Sequence, residues 1–103
     1  SIHVNSYGTK WSGAQTFFSP ENQRSVILAE EIQKELKKTT GTTRESLPTS
    51  TCYLLESLEM PSCIVELGFL SNPKEEKKLL DPAYQEKLAE AIYKGIIRYF
   101  AQS

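Results

Sequence analysis

The run Cys63-Ile64-Val65-Glu66-Leu67 is apolar on both alternating faces, with one acid as the exception. A strand that abandons the in–out alternation is covered on both sides, and such strands belong to parallel sheets with helices packed against them. More than any other segment, this one restricts the chain to an α/β layer architecture, a mostly parallel twisted sheet with helices on both faces. The acid has a consequence of its own. A carboxylate in such a run must be exposed, paired or neutralised, because burying it alone is expensive.

The remaining segments supply the partners for that strand. Ser1 to Asn5 opens apolar and β-branched, as a strand entered part-way through, and breaks into the turn formers of Ser6 to Gly13. Ala14 to Phe18 reads as a second strand. Ser19-Pro20 then carries the cap-and-proline signature of a helix start. Ser25, Leu28, Ala29, Ile32 and Leu36 fall on one stripe with Glu30, Glu31, Lys34, Lys37 and Lys38 opposite, the 3.6-residue pattern of an amphipathic helix. That helix is expected to stop near Thr39 to Thr43, at Gly41, with a loop over Arg44 to Thr51. Thr51 to Leu55 and Ser62 to Leu67 read as strands around the Glu59-Met60-Pro61 break. Asn72-Pro73-Lys74-Glu75 has the form of a capping box opening a short helix to about Leu80. Asp81-Pro82 repeats the device and starts a last helix with Tyr84, Leu88, Ala91, Ile92, Gly95 and Tyr99 on one side. Gly95 in mid-helix predicts a close backbone approach there.

Several classes of function fall away on composition. Leu, Ile, Val and Phe make up about a quarter of the 103 residues, enough for a core. Twelve basic residues against 13 acidic ones leave a formal charge of −1, without the basic footprint of a nucleic-acid binder. The apolar runs are far short of the roughly 18 to 20 residues of a membrane span. Cys52 and Cys63 are too few for a disulfide scaffold and are expected as free thiols, with a single disulfide as the alternative.

In an open α/β sheet the ligand site lies beyond the carboxyl ends of the strands. His3 and Glu66 are expected near the ends of two such strands; if these are parallel neighbours, an imidazole and a carboxylate meet at one rim, a pairing that suits a metal ligand beside a general base. Each also has a plainer reading, a satisfied histidine or a paired acid. Trp11 is expected to pack onto the scaffold, with stacking on a sugar ring as the alternative. Arg44 is either solvated or able to clamp a carboxylate.

These residues carry a resemblance. Ser1-Ile2-His3-Val4-Asn5, Gly13 before an aromatic strand, Arg44, Pro61 and the run Glu66-Leu67-Gly68-Phe69-Leu70-Ser71-Asn72-Pro73 resemble the zinc-dependent N-acetylmuramoyl-L-alanine amidases of bacterial cell walls. Trp11 to Phe17 is similar to the corresponding segment of the spore-cortex members. The resemblance covers the whole chain. It implies the carboxyl-terminal portion of a single catalytic domain over residues 1–103, with the fold incomplete and Ser1 beginning in mid-strand. It implies hydrolysis of the amide joining N-acetylmuramic acid to L-alanine, with His3 as a zinc ligand, Glu66 as the catalytic general base, and Asn5 and Arg44 as substrate-binding residues at the rim. The zinc site requires two further ligands, expected upstream of Ser1, because His3 is the one histidine of the sequence.

The implied partners are the glycan strands and stem peptides of peptidoglycan, and the implied location is the cell wall or spore cortex, outside the cytoplasmic membrane. Nucleic acid and membrane spanning are not expected. The resemblance also predicts a chain that binds zinc poorly and is inactive by itself, and that self-associates through surface left uncovered. Two other readings stand beside it: a non-catalytic wall-binding or regulatory module on the same scaffold, and a plain α/β interaction domain.

Overall fold

The computed structural model describes residues 1–50, 55 and 57–102. Along the chain run β1 (Ile2–Asn5), β2 (Gln15–Phe18), α1 (Gln23–Thr40), β3 (Leu47–Pro48), β4 (Ile64–Phe69), α2 (Pro73–Leu79) and α3 (Pro82–Gln102). The strands form one sheet in the order β1-β4-β2-β3. β1 runs parallel to β4 and β3 parallel to β2, whereas β2 and β4 are antiparallel. The α/β class and the mostly parallel sheet expected from the sequence are therefore found, with one antiparallel seam at the centre. The expected strand over Thr51 to Leu55 lies outside the described residues apart from Leu55, which is helical and buried, not extended, and Cys52 lies outside them as well.

The three helices given above feed one hydrophobic cluster. Ala29, Ile32 and Leu36 of α1, Leu79 of α2, and Leu88 and Ala91 of α3 close over Val65 of β4 and Cys63 just before it, and over Ala14 and Phe18 around β2. Because alternate strand residues face opposite ways, Val65 looks into this cluster and Glu66 onto the other side of the sheet. The helices α1, α2 and α3 all reach this cluster on the Val65 side of the sheet. Gly95 lets α3 lie on α1: a Cβ there would fall 2.6 Å from the Ile32 Cα. The expected close approach is present.

Local chemistry moves several boundaries. The first helix begins at Gln23 and not at Ser19-Pro20, because the Asn22 carboxamide oxygen accepts from the N–H groups of Arg24 and Ser25. Gly41, in the left-handed region at φ 73°, ends it by donating to Lys37 O. The expected loop after it holds the short edge strand β3, a place where Pro48 is tolerated because an edge N–H needs no partner. β4 runs two residues beyond the expected Leu67. Gly68, at φ 156°, carries it through a register slip relative to β1 between His3 and Asn5.

The capping box at α2 is half formed. Asn72 caps Lys74 and Glu75, but the Glu75 carboxylate accepts from the backbone N–H groups of Gly13 and Phe69. It thereby ties the loop before β2 to the end of β4.

Candidate active site

Glu66 lies third among the six residues of β4, within the strand and not at its carboxyl end as the sequence reading expected. Its register partners fix its surroundings. His3 of β1 stands opposite it on one side and Gln15 of β2 on the other. Register partners share a sheet face, so imidazole, carboxylate and carboxamide form a row across three adjacent strands. The two residues expected to meet do stand side by side.

The members of the row differ in environment. His3 is exposed, and its Nε2 lies 2.6 Å from the Ser1 hydroxyl. Glu66 is half-buried, and its Oε2 is shielded from solvent without a hydrogen-bond partner. Such an atom is uncommon, because buried polar atoms almost always find partners. Gln15 is 8% exposed and bonded at both ends of its carboxamide: Arg44 Nη1 donates to its Oε1 at 3.1 Å, and its Nε2 donates to Glu45 O at 2.7 Å.

Asn5 is set back from this row by the register slip and pairs with Phe69. Its side-chain oxygen accepts from the Ser6 N–H at 2.7 Å, and its own carbonyl accepts from Leu70. Arg44 is held by the scaffold. Its Nε donates to Ser12 O at 2.7 Å, and its guanidinium lies 5.6 Å from the Trp11 ring centre and 5.3 Å from that of Phe69. Distances of this size are those of cation–π contacts. Behind it, the buried Gln33 of α1 donates to the Arg44 carbonyl. Trp11 is half exposed beside Tyr7, and its carbonyl accepts from Asn72. The ring meets Tyr7 and the Arg44 guanidinium, and half of the residue stays open to solvent.

Sequence reasoning missed the roles of two residues, one in this row and one beside it. Gln15 occupied an unremarkable place in a short strand, and its position opposite Glu66 depends on an antiparallel pairing that the local sequence does not announce. Glu75 was read as a helix cap, whereas it bridges two loops. A cleft of about 500 Å³ bounded by Gly13, Thr42, Asn72, Glu75 and Tyr84 lies apart from His3 and Glu66, neither of which lines it. Among the described residues no group of three or more His, Cys, Asp or Glu side chains gathers to hold a metal ion. The buried Cys63 is a free thiol, and burial pushes its pKa up to about 11.

Comparison with known proteins places this geometry in a family. The chain is 42% identical over 104 residues to the germination-specific N-acetylmuramoyl-L-alanine amidase of Bacillus subtilis, covering 99% of this chain and 44% of that protein. It is 33% identical to the N-acetylmuramoyl-L-alanine amidase LytC of the same organism, covering 97% of this chain and 21% of that one. The solved CwlD amidase of Clostridioides difficile, determined in complex with the GerS lipoprotein, superposes with a TM-score of 0.96 at 45% identity, covering 100% of this chain and 54% of the other. This chain thus spans about half the length, or less, of these relatives. The sequence model of the N-acetylmuramoyl-L-alanine amidases matches residues 1–98, and the chain belongs to that family.

Proposed function

We propose that this chain is the carboxyl-terminal portion of a peptidoglycan amidase domain, and that it supplies His3 and Glu66 to a zinc site cleaving the bond between N-acetylmuramic acid and L-alanine. The observation that carries the reading is the shielded, unpartnered Glu66 Oε2 beside the His3 imidazole. The His3 imidazole fits one ligand position of a zinc site, and the carboxylate beside it fits a base for the water there; a catalytic zinc normally has three protein ligands and an open position. The remaining donors would come from sequence upstream of Ser1. Zinc, when bound, supplies Lewis acidity that polarises the scissile carbonyl and acidifies water.

The chain's own residues do the rest. His3, exposed on the edge strand, offers a ring nitrogen once its contact with the Ser1 hydroxyl is given up. Glu66, with an unengaged lone pair, takes a proton from the attacking water and returns it to the departing L-alanine nitrogen. Asn5 and Arg44 shape the rim against the stem peptide. The action is extracytoplasmic, in cell wall or spore cortex, and an accessory protein akin to the lipoprotein bound by the CwlD relative belongs to the proposal. The incomplete donor set among the described residues supports a second reading, a wall-binding module without catalysis.

Incubating the full-length protein with purified peptidoglycan and labelling new amino termini separates the two. Free L-alanine amines, reduced at least about 100-fold by Glu66→Gln, are expected from the amidase. Wall binding without new amines would establish the module instead, and cleavage at another bond would refute both.

A further inference from the structure

Gln15 poses a physical question. Side chains directly opposite on an antiparallel pair have Cβ atoms about 4.5–5.5 Å apart, so the Gln15 carboxamide has the reach to donate to the Glu66 carboxylate. Both groups are largely withdrawn from water, which makes that bond the ordinary outcome. It is not formed: Glu66 Oε2 has no partner. The carboxamide is bonded at both ends elsewhere, to the Arg44 guanidinium and to Glu45 O.

Arg44 decides this arrangement. A guanidinium only donates, so the group facing it must be the Gln15 oxygen; a flipped amide would bring N–H against N–H. The guanidinium cannot drift either. It is fixed by Ser12 O, flanked by the Trp11 and Phe69 rings, and anchored through its own carbonyl by Gln33. The Gln15 nitrogen is thus drawn to Glu45 O and makes no hydrogen bond to the carboxylate.

We propose that Arg44 and Gln15 are a positioning pair that keeps the Glu66 carboxylate free of side-chain donors, its lone pairs open, until water and substrate arrive. A lone pair already taken by a carboxamide N–H is not open to the O–H of the attacking water. Arg44 then acts through Gln15, in addition to its place at the rim. The inference rests on Glu66 being the general base.

The test is steady-state kinetics of the full-length protein on a soluble muramoyl-peptide. Arg44→Lys keeps the charge but loses the planar fork; kcat is expected to fall about tenfold with KM within about twofold. Adding Gln15→Met to Arg44→Lys removes the carboxamide that would capture the base, and kcat is expected to recover to within about threefold of the unsubstituted protein. Losses that add in the double variant overturn the proposal, as does a raised KM with kcat kept, which would make Arg44 a substrate contact only. Should a variant not fold, the side-chain amide resonances of Gln15 in the unsubstituted protein and in Glu66→Gln decide: unmoved signals support the pair, and a clear shift overturns it. A fully active Glu66→Gln sinks the general-base reading itself, whereas an inactive one beside an unaffected Arg44→Lys sinks the pairing alone.

Discussion

His3 and Glu66 are register partners on the parallel strands β1 and β4, and they share the sheet face opposite the helix-covered core. The relationship follows from the backbone. Once β1 pairs with β4 in this register, the pleat brings imidazole and carboxylate alongside each other whatever the loops do. The proposed chemistry is thereby mounted on strands, which hold side chains more tightly than loops.

The same backbone depends on Gly95. Gly95→Ala forces a methyl to within 2.6 Å of the Ile32 Cα and 2.9 Å of its nitrogen, neither of which can rotate away. Overpacking of this kind costs about 2–3 kcal/mol. Thermal unfolding should show a fall of roughly 10 °C or more in Tm, and a Tm within about 2 °C of the unsubstituted chain would contradict the packing described.

Stability should also carry a pH signature from Glu35. This carboxylate is 5% exposed; burial pushes its pKa up, but Lys38 and Arg98 together outweigh burial and hold it below the ordinary 4.5. Arg98 Nε lies 2.8 Å from Glu35 Oε2 and so ties α3 to α1. A depressed folded pKa means that the contribution is complete above the unfolded value and is lost as pH falls through the folded one. Urea midpoints measured from pH 7 down to 3 should therefore show the unsubstituted chain losing its advantage over Glu35→Gln below about pH 4.5. A gap that stayed constant with pH would argue against the ion pair.

Cys63 should be chemically quiet. With its pKa pushed up to about 11, only about one thiol in a thousand is ionised at pH 8. Mass spectrometry of the Cys63 peptide after iodoacetamide treatment should show little modification in the folded chain and complete modification in urea. Rapid alkylation of the folded chain would place the thiol at the surface.

Much of the fold was legible because its signals are local. The charged and apolar stripes of α1, the Asp81-Pro82 start of α3 and the two-sided apolar run around Val65 each reflect a period or a cap that few residues suffice to express. What was missed depends on distant partners. The position of Glu66 within β4 comes from Gly68 carrying the strand onward. Glu75 left its capping role because Gly13 and Phe69 bring unpaired N–H groups to it from elsewhere in the chain. Gln15 became part of the candidate site through pairing with a strand about fifty positions away. His3 and Glu66 could be singled out since an imidazole and a lone acid in an apolar run are conspicuous, and the family resemblance gave them roles.

The isolated 103-residue chain should hold zinc weakly and leave peptidoglycan intact, since the one imidazole of His3 falls short of the three ligands a catalytic zinc requires. Equilibrium dialysis should show zinc retained by the full-length protein and lost from this chain. Tight, stoichiometric zinc binding by the chain alone, with wall cleavage, would contradict that division of the site.

The shared His3–Glu66 site is tested most directly by anomalous diffraction at the zinc edge on crystals of the full-length protein. The account predicts a peak about 2.0–2.1 Å from a His3 ring nitrogen, with the Glu66 carboxylate within hydrogen-bond reach of a water on that ion. A zinc peak held elsewhere, with His3 still against the Ser1 hydroxyl and Glu66 turned from the ion, would contradict it.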